Sequence, residues 1–232
     1  YVDEVLIDER LPRWNLFFLY KLKNLLLKYN FIKVFDLQNS SRTRFYRKFL
    51  LKKPEWSSTE TTLEPGQKKS DFDQAPVLDR MEVQLKKSNI NTHFIKNIDL
   101  QWAKVDISHL IKLYAETEYI LLFPFCSEKH PDKKWPYFKD LILKLKEDYG
   151  NKYSILLAPG PNEINEANEL SGTVVLEEKK SINIRTLISL ISQAKFIVAN
   201  DTGPAHIASH LGKKGIVLFG GHTTPKKVSI EN

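Results

Sequence analysis

Between Tyr119 and Phe219, short apolar runs alternate with helical stretches, and this alternation limits the fold more than any other feature. The runs are Tyr119–Phe123, Tyr153–Ala158, Thr173–Leu176, Phe196–Ala199 and Ile216–Phe219. Runs this short, bounded by turn residues, read as strands. Helical patterning falls near Pro136–Tyr149, Asn162–Leu170, Ile182–Ala194 and Ala205–Leu211. In the third of these, Leu187, Leu190, Ile191 and Ala194 form one buried stripe. Strands alternating with helices build a parallel sheet of the doubly wound α/β class.

The first half is less regular. Val5–Ile7 predicts a short strand and Trp14–Tyr29 a helix with Leu19, Leu22 and Leu26 on one face. Phe31–Phe35 predicts a second strand, and Ser41 can cap a helix running to about Leu51. From Lys53 to Pro76 polar residues and breakers predict a long loop, functional or disordered. Helix returns at Val77–Ser88, followed by a strand at Ile98–Trp102 and a short helix at Ser108–Tyr114. A boundary near 103–117 divides the chain into domains at 1–110 and 111–232.

The 232 residues suffice for one large domain or two smaller ones. One cysteine, Cys126, excludes a disulfide framework and suits a reducing compartment. The formal charge of +7 suggests an anionic partner. No stacking aromatic–basic motif supports nucleic acid as that partner. Leu16–Tyr20 is apolar but is followed by Lys21 and Lys23, which predicts an amphipathic helix rather than a membrane span. The chain begins at Tyr1 and its one methionine is Met81, so it reads as a piece of a longer protein.

Ligands of open parallel sheets bind beyond the carboxyl ends of the strands, where three polar loops fall. "PFCSEKHPDKKWP" offers Ser127, Lys129, Lys133 and Lys134, with Pro136 opening a helix. It reads equally as an anion site or as a solvated basic loop. In "PGPNE", Glu163 suits either a helix start or the hydroxyls of a ribose. In "NDTGPAH", Asp201 or Thr202 can cap a helix, Gly203 leaves room for a ligand, and Gly212 ends the helix. Capping does not explain His206, which at a helix start is better placed as a neutral donor to an oxyanion. His206 and His210 have metal-pair spacing but lack the glutamate of a zincin helix, and no metal is expected. Cys126 reads as inert. In the early "DLQNSSR", Asp36, Gln38 and Arg42 fall near a sheet edge; Arg42 suits either an anionic acceptor or a solvated helix face.

Together, "NDTGPAH" and "VLFGGHTTP" resemble glycosyltransferase family 9, the ADP-heptose:lipopolysaccharide heptosyltransferases. Asp201, Thr202, Gly203 and His206 match the family's D-T-G-x-x-H helix start. Phe219, Gly220, Thr223 and Pro225 match its F-G-x-T-x-P segment approximately, with Gly221 where proline is usual. Ser127 and Lys133 then take donor-phosphate roles, Glu163 lies beside the nucleoside, and Asp36, Gln38 and Arg42 face the acceptor.

The resemblance implies a GT-B fold, two Rossmann-like domains facing a cleft, with the first strand and catalytic aspartate of the N-terminal domain before Tyr1. No residue of this chain is nominated as the base. The implied reaction is inverting, metal-independent and cofactor-free transfer of a heptose from an ADP-sugar to a phosphorylated lipid A–core acceptor. The implied place is the cytoplasm, peripheral to the inner membrane. The alternatives are a GT-B transferase using another nucleotide sugar, and a nucleotide-binding protein without catalysis.

Overall fold

A computed structural model describes residues 2–221 and 223–230. The chain forms two compact units, residues 1–93 and 94–232.

In the first unit the Asn15 side chain accepts the Phe18 N–H at 2.9 Å and starts α1 (Leu16–Lys28). Leu19 and Leu22 of α1 bury against Leu50. β1 (Lys33–Phe35) runs parallel to β2 (Glu55–Ser57). Between them α2 (Ser41–Phe45) passes into a π-helical turn at Tyr46–Leu50. The cap of α2 is Ser40, one residue earlier than expected, in a reciprocal box with Thr43. α3 (Thr59–Thr62), α4 (Lys69–Phe72) and α5 (Val77–Lys87) follow.

Two expectations for this unit fail. Residues 53–76 are not a structureless loop. They carry β2, α3 and α4, and Ser58 caps α3 in a second reciprocal box with Thr61. The serines and threonines that read as loop are helix-start chemistry. Val5–Ile7 forms no strand, and Val5 and Ile7 are both exposed.

The second unit is a five-stranded parallel sheet between two helical layers. Its elements in chain order begin with α6 (Ser108–Tyr114), β3 (Glu118–Phe123), α7 (Phe138–Tyr149) and β4 (Tyr153–Leu157). Next come α8 (Ile164–Asn168), β5 (Thr173–Val174), α9 (Ile184–Gln193) and β6 (Phe196–Asn200). α10 (Gly203–His210), β7 (Gly215–Leu218) and α11 (Pro225–Val228) complete it. The strand order is β5-β4-β3-β6-β7.

Side chains alternate across the strands, as the pleat requires. Leu121 and Phe123 of β3 face a core shared with Leu110, Leu190, Ile191, Ala205 and Ala208. Ile120 and Leu122 face the other core, against Phe138 and Ile142 of α7. Gly212, with φ +62°, follows α10 in the left-handed conformation that ends it, as its position predicts.

Residues 94–110, expected with the first half, cluster with the second unit. Ile107 and Leu110 are buried in the core under β3, and Arg185 Nε donates to the Ala103 carbonyl at 3.2 Å. Ile98–Trp102 is not a strand; it leads into a 3₁₀ turn at Gln101–Ala103. α7 begins at Phe138 rather than Pro136, because Tyr137 takes the cap position.

Because β3 comes first in this unit, the chain adds β4 and β5 on one side and β6 and β7 on the other. The winding reverses between β3 and β6, and the crevice beyond their carboxyl ends is where such a sheet binds its ligand.

Candidate functional site

Two loops leave the carboxyl ends of β3 and β6 side by side, since Phe123 pairs with Ala199. Asn200, the last residue of β6, is fully buried. Its Nδ2 donates to the Pro124 carbonyl at 2.8 Å, and its Oδ1 accepts the Trp135 N–H at 3.2 Å. Both ends of the lysine-bearing loop are therefore tied to β6.

The next residue, Asp201, is also buried, and its Oδ2 accepts from Lys133 Nζ at 2.8 Å. The same ammonium reaches the Asp201 carbonyl at 3.2 Å. A buried carboxylate needs such a partner, and here the partner is the cation that the sequence suggested for an anionic ligand. His206 Nε2 stands 3.7 Å from Asp201 Oδ1. Burial pushes the His206 pKa down, Asp201 opposes that shift, and Lys133 adds to it. The net direction favours the neutral ring, as the helix-start position implied.

α10 opens without a side-chain cap. Thr202 occupies the cap position, but its Oγ1 donates to the Asn200 carbonyl at 3.2 Å, and Asp201 is committed to Lys133. The expected capping role is thus filled by neither residue. A Cβ added at Gly203 would meet nothing within 4 Å, so the backbone there is open to a ligand.

Glu163 precedes α8 but does not cap it. Its Oε2 turns back to accept the Gly160 N–H at 2.7 Å. Burial raises its pKa, and the Gly160 bond opposes that shift. Ser127 Oγ accepts the Lys129 N–H at 3.4 Å. Cys126 Sγ donates to the His130 carbonyl at 3.3 Å, and burial pushes its pKa up, which keeps the thiol unreactive.

These loops enclose a cavity of about 550 Å³ lined by Ser127, Lys133, Glu163, Asp201, Thr202 and Gly203. His206 is not among its lining residues; it stands behind Asp201. The cavity also has an apolar wall of Phe125, Ala158, Ile182 and Leu187, which the sequence reading missed. Their signal was present but ambiguous, because an apolar residue beside a strand end reads as core. No group of three or more His, Cys, Asp or Glu among the described residues could hold a metal ion.

The acceptor-side candidates lie in the first unit. Asp36 is buried, and its Oδ1 accepts the Asn39 N–H at 2.8 Å in a local turn. Gln38 is exposed at the rim of an apolar hollow that includes Phe31, Val34 and Trp56. Arg42 is occupied. It donates to the Arg10 and Leu11 carbonyls, each at 2.8 Å, and to the Tyr46 hydroxyl at 2.7 Å. Neighbouring Arg44 and Arg47 both pair with Glu60. Six of the seven residues expected to meet the donor thus line one cavity, His206 excepted, while Arg42 serves the first unit's own packing.

The profile of glycosyltransferase family 9 (heptosyltransferase) matches residues 23–229. No curated protein matches the chain significantly. Among solved structures, the chain is similar to E. coli ADP-heptose LPS heptosyltransferase II, with a TM-score of 0.61 and 18% identity over 90% of this chain and 68% of that one. It is similar to E. coli heptosyltransferase WaaC with ADP, with a TM-score of 0.56 and 18% identity over 95% of this chain and 70% of that one. A family 9 glycosyl transferase from Veillonella parvula gives a TM-score of 0.62 at 12% identity, over 93% of this chain and 70% of that one. These likenesses carry the GT-B type of α/β fold. His222, inside the "VLFGGHTTP" match, lies outside the described residues. On the profile match, the chain belongs to glycosyltransferase family 9 and is a glycosyltransferase.

Proposed function

We propose that the chain transfers a sugar, a heptose or a close relative, from an ADP-sugar to a lipopolysaccharide core hydroxyl with inversion. The observation that carries the donor half is the cavity at the β3/β6 switch point, where Lys133 and the uncapped start of α10 meet. A helix start and a cation together suit a diphosphate. As the bond to the sugar breaks, negative charge gathers on that diphosphate. Lys133 and the α10 amides stabilise it, and the neutral His206 ring acts on it through Asp201. With this charge neutralised by protein groups, transfer needs no metal.

Glu163 accepts from the ribose hydroxyls, Ser127 donates to a phosphate oxygen, and Gly203 admits the diphosphate to the backbone. The base that takes the acceptor proton is not assigned to a residue of this chain. Asp36, Gln38 and Arg42 belong to the acceptor side, with Arg42 acting through the N-terminal segment it holds. Support for heptose comes from the family and from the names of the two E. coli enzymes, one of which also names LPS; the phosphorylated lipid A–core acceptor rests on the motif resemblance. The net charge of +7 suits both anionic partners. It also suits a cytoplasmic protein working at the inner membrane face.

Calorimetric titration of ADP, UDP and adenosine tests the donor half. ADP should bind more tightly than UDP, and Lys133→Ala should weaken ADP by roughly tenfold or more while sparing adenosine. A preference for UDP would move the assignment to another nucleotide sugar. An unchanged ADP affinity in Lys133→Ala would remove the diphosphate from this cavity.

A further inference from the structure

We infer that Asn200 is a positioning residue that presets Lys133 for the diphosphate, an inference that rests on the donor-site reading above. Main-chain N–H groups only donate and carbonyls only accept, so the partners of Asn200 fix its carboxamide in one orientation. Nδ2 faces the Pro124 carbonyl at 2.8 Å and the Phe125 carbonyl at 3.5 Å, while Oδ1 receives the Trp135 N–H at 3.2 Å. One buried side chain therefore closes the loop from 124 to 135 at both ends. Lys133 lies within that loop, two residues before the anchored Trp135.

Asn200 does not line the cavity, and its side chain is wholly enclosed by protein. Its effect on a ligand must pass through the loop it holds. The adjacent Asp201 completes the arrangement by receiving Lys133 Nζ at 2.8 Å. Two consecutive residues at the end of β6 thus set the loop and its cation before any ligand arrives. Preset groups bind charge without ordering cost, whereas a loose loop must be ordered at each encounter.

A double-mutant cycle separates this role from a general structural one. Asn200→Ala should weaken ADP about tenfold, the loss expected for a displaced charge-assisted contact. Adenosine should lose much less than ADP, because only Phe125 of the cavity's apolar wall belongs to this loop. In a Lys133→Ala background, Asn200→Ala should cost ADP much less than in the wild type, the remainder being the Ser127 contact that the same loop carries. Where Asn200→Ala does not fold, Asn200→Ser retains one hydroxyl donor and should show the same pattern with a smaller loss. Equal losses for ADP and adenosine, or a full Asn200 effect without Lys133, would overturn the inference. If Lys133→Ala alone leaves ADP affinity unchanged, the donor-site reading fails first and this inference falls with it.

Discussion

Glu163 answers to two opposed demands, and they can be measured apart. Burial raises its pKa above that of an ordinary glutamate, so the folded state disfavours its charge. A raised pKa contributes stability that is full below pH 4.5 and is lost as pH rises through the folded value. Glu163→Gln keeps an oxygen for the Gly160 N–H and removes the buried charge. The variant should match or exceed the wild type in urea unfolding at pH 7, and its advantage should shrink toward pH 4. ADP affinity should fall roughly tenfold, since a neutral amide accepts more weakly from ribose hydroxyls. The sequence revealed the identity of such residues but not their partners. Lys133 read as a free cation in a basic loop, yet its counter-charge lies 68 positions away at Asp201. Arg42 read as either facing an anionic acceptor or lying on a solvated helix face, yet Asp8, Tyr46 and two main-chain carbonyls enclose it.

At the scale of elements, legibility followed burial. β3, β4 and β6 are covered on both faces, so their apolar runs gave them away within a residue or two. β2 was invisible because Glu55-Trp56-Ser57 has no apolar run. It exists through its pairing with β1 and through Trp56 Nε1, which donates to the Leu51 carbonyl at 2.9 Å. Ile98–Trp102 erred the other way, with β-forming residues and no strand to pair with. The edge strand β7 offers a test of packing between elements. A Cβ at Gly215 would lie 2.6 Å from the Ile197 carbonyl oxygen, which is backbone and cannot swing aside. Gly215→Ala should therefore cost roughly 1–3 kcal/mol, read as a lower denaturation midpoint with an unchanged slope.

At the scale of the molecule, every residue that lines the cavity beyond β3 and β6 belongs to the unit 94–232. Residues 94–232 expressed alone should bind ADP within about threefold of the full chain, since an autonomous domain carries its own core and site. A fragment that folds by circular dichroism but loses ADP would make the first unit part of the donor site. The five-strand winding was readable from alternation alone, because helices and strands of that length leave few topologies. The division between units was not, because Ile107 and Leu110 carry no mark of which core receives them.

The switch point between β3 and β6 has a consequence for timing. Lys133 emerges from synthesis long before Asp201 and Asn200, the residues that hold it. Until β6 slots in beside β3, the lysine loop has no anchor and the helix start that faces it does not exist. If the cavity is the donor site, a sheet in which β6 has not joined β3 should not retain nucleotide. On the donor-site proposal, bound ADP would then report that β6 has joined β3, and at a hundredfold excess over Kd it would add about 2.7 kcal/mol to keeping them joined.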